Sequence, residues 1–80
     1  MDCRPDLGPF LQLLKREGVS LYKVSQVSGI NYAGLHRAAK GRSTPDLQTL
    51  VRIKCALEVI LGRPVSLDEL VEVRKGQISR

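Results

Sequence analysis

The sequence predicts an all-α fold, five short helices packed in one domain. Three observations predict it. Apolar residues recur at helical spacing, as in Phe10, Leu11 and Leu14. Residues that start and stop helices stand between those runs, among them Gly18, Ser20, Gly29, Asn31, Gly41, Gly62 and Ser66. No segment is read as alternating with period two, and no Asn-Gly hairpin signal occurs.

The elements follow in order. Residues 1–6 are expected to be a loose N-terminal arm. The first helix covers Pro9–Glu17 and starts near residue 7 or 8, because proline is tolerated only in a first turn. Leu7, Phe10, Leu11 and Leu14 share its inner face, with Leu13 to the side. Gly18 ends it, and Lys15 and Arg16 complement its C-terminal dipole. Ser20 caps a second helix, Leu21–Ser28, that turns Leu21 and Val24 inward. A third helix runs from about residue 32 to 40. Thr44 as N-cap and Pro45 as first helical residue open a fourth, which runs to about Leu61. Its stripe is Leu47, Leu50, Val51, Ile53, Leu57, Ile60 and Leu61. Ser66 and Glu69 have the spacing of a capping box and start a fifth helix with Leu67, Leu70 and Val71. Residues 7–73 form the domain, and 74–80 are a polar tail that frays.

Composition bounds the function. Eighty residues make one domain, and 42% hydrophobic content supplies a small core. Aromatics are 4% with no Trp, so the core is aliphatic. The net charge of +5 suits a polyanion but decides nothing alone. No apolar run approaches the roughly 18 residues of a membrane span, and Met1–Pro5 lacks the apolar segment of a signal peptide. A cytoplasmic protein is expected. Cys3 and Cys55 are far apart and read as reduced thiols, with Cys55 buried or half-buried. The chain has one His, no nucleophile–base pair and no Gly-rich phosphate loop, so neither catalysis, metal nor cofactor is expected.

The stretch Gly29–Gly41 organises the rest. Asn31 can accept a hydrogen bond from a free first-turn N–H, and Gly41 can take the left-handed conformation that ends a helix. Leu35, Ala38 and Ala39 give the helix between them a narrow apolar side. Tyr32, Ala33, His36, Arg37 and Lys40 cover the other. Residues 21–40 thus make helix, short turn, helix, a pair that crosses steeply. Ser25 supplies a small residue at the crossing, Gly29 the sharp turn, and Val24, Ile30, Leu35 and Ala38 the apolar corner.

Ser20, Leu21, Val24, Ser25, Gly29, Ile30, Asn31, Leu35, Gly41, Pro45, Leu47 and Leu50, at these spacings, resemble the Cro/C1-type helix-turn-helix family, the lambda-repressor-like DNA-binding domains. The resemblance covers about residues 10–73. It implies a compact five-helix bundle in which helices two and three form the helix-turn-helix. The third helix would lie in the major groove, and dimers would address half-sites about 34 Å apart. The chain departs from the family pattern at Ser25, where Ala is usual, and at Ser28, Gly34 and the longer link Ile60–Pro64.

By position, the resemblance implies base contacts from Tyr32, Ala33, His36 and Arg37. Arg37 can donate two hydrogen bonds to guanine, and Ala33 can touch a thymine methyl. Tyr32 reaches a base edge or a phosphate, and His36 a base, the backbone or neither. Expected phosphate contacts are Ser20, Tyr22, Lys23, Asn31, Lys40, Arg42 and Ser43. Ser20 and Asn31 are caps first, and Lys40 and Arg42 also complement a helix end. Two readings result. One is a transcriptional regulator, a repressor binding double-stranded DNA at a palindromic operator as a homodimer. Its dimer contacts are expected near helix five, from Leu61, Val65, Val71 and Val73, or induced on DNA. The other is a protein-interaction module on the same scaffold, such as an antitoxin with a protein partner.

Overall fold

The computed structural model describes residues 3–75, and side chains from Pro5 to Val73. The elements are β1 (Cys3–Asp6), α1 (Gly8–Glu17), α2 (Leu21–Ser28), α3 (Tyr32–Ala39), α4 (Leu47–Leu61), a 3-10 turn (Leu67–Glu69) and β2 (Glu72–Lys75). The fold is mostly helical, with four α-helices and a two-stranded antiparallel sheet.

That sheet corrects the expected five-helix, all-α bundle. Residues 3–6 are not a loose arm: they pair with β2, Cys3 opposite Lys75, Arg4 opposite Arg74, Pro5 opposite Val73 and Asp6 opposite Glu72. The expected fifth helix is a single 3-10 turn. Its first turn forms, with the Glu69 carboxylate accepting the Ser66 N–H at 3.0 Å. It stops because the Leu70 carbonyl, which a helix would use four residues on, accepts the Phe10 N–H at 3.0 Å instead. The next residues, Val71-Glu72-Val73-Arg74, do alternate apolar and polar. Arg74 and Lys75 of the expected tail lie in β2, and residues 76–80 lie outside the described residues.

The helix starts follow local chemistry. Asp6 Oδ1 accepts the Gly8 N–H at 2.7 Å and turns β1 into α1. Pro9 then sits in the first turn. Ser20 caps α2 by accepting the Lys23 N–H at 3.0 Å. The cap of α4 is Asp46, not Thr44: its Oδ1 accepts the Thr49 N–H at 2.8 Å. Proline at 45 disfavours helical geometry at Thr44, so the helix begins after both. Hydrogen bonds from Thr49, side chain and then backbone, hold the Asp46 carboxyl below its usual pKa.

The core is one cluster. Phe10, Leu13, Val24, Leu35, Ile53, Leu57, Val65 and Leu70 are its fully buried side chains. Leu13 is therefore central, while Leu11 and Leu21 are half-buried at the margin. Leu47 and Val51, expected in the α4 stripe, are 68% and 42% exposed. Cys55 is exposed too, not buried. Val65 is core and so cannot be a dimer contact; of the four residues expected there, Val73 alone is exposed. The α4 end is tied to the following loop through Glu58. Its carboxylate takes the Lys54 ammonium at 2.8 Å and the Val65 N–H at 3.0 Å. Those two bonds, the first being the stronger, hold the Glu58 carboxyl below its usual pKa. α2 packs chiefly on α4 and α3, which leaves one side of α3 turned outward. No helix among the described residues is long and apolar enough to cross a membrane.

Candidate nucleic-acid interface

α3 is held at both ends. Asn31 Oδ1 accepts the N–H groups of Ala33 at 2.9 Å and Gly34 at 3.3 Å. At the other end the Gly41 N–H donates to the Ala38 carbonyl at 3.1 Å and the Arg42 N–H to the Arg37 carbonyl at 2.8 Å. Gly41 has φ +78°, so the pair of bonds is a Schellman motif closed by a left-handed glycine. The turn into α3 also uses a left-handed glycine but a single bond: Gly29 has φ +75° and donates its N–H to the Ser25 carbonyl at 3.0 Å.

Packing fixes the roll of α3. Leu35 is 0% exposed, and Ala38 and Ala39 are buried beside it. Tyr32, Ala33 and Arg37 are exposed and His36 is half-exposed. The four expected base-contact residues thus share one outward side, at the spacing that opposes Leu35 and Ala38 on a helix. Ser25 is buried where α2 lies beneath α3, and its Oγ donates to the Tyr22 carbonyl at 2.9 Å rather than being left unpaired.

The expected phosphate contacts, Ser20, Tyr22, Lys23, Asn31, Lys40, Arg42 and Ser43, are all exposed. They lie at the starts of α2 and α3 and in the loop after α3. Two of the helix N-termini are less open than the sequence suggests. The Lys23 N–H is spent on Ser20, and those of Ala33 and Gly34 on Asn31. What remains free is side-chain charge. Among the described residues Lys23, Arg37, Lys40 and Arg42 make no ion pair, whereas Lys54 pairs with Glu58, and Arg63 with Glu17 and Glu69. The acids of those pairs, Glu17, Glu58 and Glu69, lie away from α3, while the exposed Asp46 carboxylate borders the groove behind it.

One feature of this side is absent from any sequence spacing. The Tyr22 ring meets the Tyr32 ring edge-on, and Tyr32 in turn lies 6.0 Å, centroid to centroid, from His36. The three rings form a row from the first turn of α2 to the middle of α3. Their separation along the chain, across a turn, hid them. Behind α3 runs an open groove of about 270 Å³ toward the loop that precedes α4, bordered by Ile30, Gly34, Ala38, Ser43 and Pro45. No group of three or more His, Cys, Asp or Glu among the described residues could hold a metal ion.

Comparison with protein-family models, curated proteins and solved structures finds no match to this chain.

Proposed function

We propose that this protein is a sequence-specific, double-stranded-DNA-binding transcriptional regulator of the lambda-repressor-like type, a repressor that recognises a palindromic operator as a homodimer. The observation that carries the reading is the outward side of α3, where Tyr32, Ala33, His36 and Arg37 stand on a helix capped at both ends. Unpaired Lys23, Lys40 and Arg42 lie on the elements around it. A rigid helix with polar and small residues outward fits a major groove. The cations beside it supply a sequence-independent attraction to phosphates. Such a regulator works in the cytoplasm, needs no cofactor and performs no catalysis.

The test is selection of bound sequences from a random duplex pool. An enriched palindrome with half-sites one helical turn apart supports the reading. No enrichment at low salt sinks it.

A second reading has its own support. Val27 of α2 and Leu47, Val51, Cys55 and Val59 of α4 are exposed, and the last three with Val27 border a groove of about 220 Å³. Arg52 borders it without an ion pair among the described residues. Such an apolar face favours a protein-interaction role, as in an antitoxin. The two roles are compatible. Solution scattering of the protein mixed with the product of an adjacent reading frame would reveal a complex, and unchanged scattering would remove this second role.

A further inference from the structure

We propose that the exposed face of α4, with the groove between it and α2, takes one helix of another protein: an amphipathic helix with an acidic residue beside its apolar side. This rests on the protein-interaction reading above and names the partner's chemistry.

Burial points to the face. Among the described residues, the large hydrophobic side chains left exposed are Tyr22 and Tyr32 of the ring row, Val73 of β2, and Val27, Leu47, Val51 and Val59. The last four lie here. Leu47, Val51, the exposed Cys55 and Val59 recur every four residues, so they form one ridge along α4. At 1.5 Å per residue the ridge is about 18 Å long, the length of about three turns of a partner helix. Val27 of α2 borders the groove of about 220 Å³ together with Val51, Cys55 and Val59. A ridge of residues four apart is the shape that packs into the grooves of another helix.

Charge points to the partner. The Ser28 hydroxyl at the groove's edge is satisfied: it donates to the Ser25 carbonyl at 3.4 Å and accepts the Ile30 N–H at 3.2 Å. On the far flank of the ridge Lys54 and Glu58 satisfy each other at 2.8 Å. Arg52 borders the groove with no ion pair among the described residues. A partner carboxylate seated there would gain a charge-assisted contact with its guanidinium. A second copy does not supply one. In an antiparallel pair of α4 helices about a two-fold axis the same flanks meet, so Arg52 faces Arg52; in a parallel pair it falls beside Lys54. The ridge and groove give the helix-in-groove mode of recognition, and the charge sets which helix fits.

Two synthetic helical peptides, titrated into the full chain and followed by amide NMR signals, test this. Both carry Leu at i, i+4, i+7 and i+11; one has Glu beside that apolar side and the other Lys. The Glu peptide should bind at least about tenfold more tightly than the Lys peptide and shift the signals of Val27 and of residues 47–59. Arg52→Glu should abolish that preference. The double variant V51S/V59S should weaken both peptides by at least about tenfold; both valines are exposed, so its melting temperature should stay close to that of the wild type. No binding, shifts confined to α3, or a preference that Arg52→Glu leaves intact would each overturn the proposal. So would a dimer of the chain alone that V51S/V59S breaks, since a second copy would then own the face. A complex with the neighbouring frame's product that both variants leave intact overturns this surface alone. Peptide binding as expected without such a complex removes that product as the partner and leaves the surface standing.

Discussion

Tyr22 and Tyr32 meet edge to face, their ring centroids 6.0 Å apart and their planes inclined at 64°. One ring belongs to α2 and the other to α3, and both are largely exposed. The contact adds little to stability at such a site. What it does is limit the rotamers of Tyr32 on the outward side of α3. Tyr22→Ala should therefore change melting by no more than about 0.5 kcal/mol, yet weaken DNA binding severalfold and blur preference where Tyr32 reads. Tyr22→Phe keeps the ring edge and should keep the preference. Melting curves alongside duplex titrations separate the two effects.

Arg37 and Lys40 should fail differently. If α3 reads DNA as proposed, Arg37→Ala would remove a bidentate donor to guanine and should cost about 1–3 kcal/mol of discrimination at one base position. Lys40→Ala should weaken every sequence alike and reduce the slope of log affinity against log salt by about 0.9. Competition assays with matched and mismatched duplexes at several salt concentrations read both. If Arg37→Ala leaves preference and affinity intact, α3 is not the reading helix.

Gly34 has no internal reason to be glycine. It lies inside α3, and a methyl group built there meets nothing within 4 Å. Gly34→Ala should raise stability by up to about 1 kcal/mol, the propensity gap between the two residues. The same methyl would stand in the groove beside α3, so a nucleic-acid backbone seated there would be pushed away. A higher melting temperature combined with weaker operator binding is the expected result; stronger binding would place the DNA elsewhere.

Acid should loosen the loop after α4. The Glu58 carboxyl is held below its ordinary value of 4.5 by the Lys54 ammonium and the Val65 N–H. A carboxyl depressed in the folded state contributes fully above its unfolded value. That contribution is lost as pH falls below 4.5 and through the folded pKa. Asp46 and Glu69 act in the same direction, through hydrogen bonds from Thr49 and Ser66. Thermal melts from neutral pH downward should show an acid limb that Glu58→Gln makes shallower. An unchanged limb would mean that the pair with Lys54 contributes nothing.

What the sequence made legible is what neighbouring residues determine. Ser20, Asn31, Gly29 and Gly41 mark their helix ends through bonds to groups within five residues, and α2 and α3 lie where those caps place them. The inward set Val24, Leu35 and Ala38 follows from the 3.6-residue period. The strands were hidden because each is four residues long and finds its partner at the far end of the chain. β1, with Cys, Arg, Pro and Asp, holds no β-branched residue at all. The alternation Val71–Arg74 follows a capping box, which by itself points to a helix. Leu13 and Leu11 flank the Phe10 and Leu14 stripe on opposite sides, and the bundle around them, not the period, puts Leu13 in the core. The ring row escaped for the same reason as the strands: Tyr22 and Tyr32 come together only once the turn at Gly29 has folded.

The pairing of Cys3–Asp6 with Glu72–Lys75 also closes the backbone into a circuit, with residue 3 standing beside residue 75. In such a circuit the order of the elements is a convention of synthesis rather than a demand of packing. A short peptide spliced from 75 to 3 would let the chain be opened instead in the exposed loop 41–44. Synthesis would then begin with α4 and end with α3, and the same globule should result.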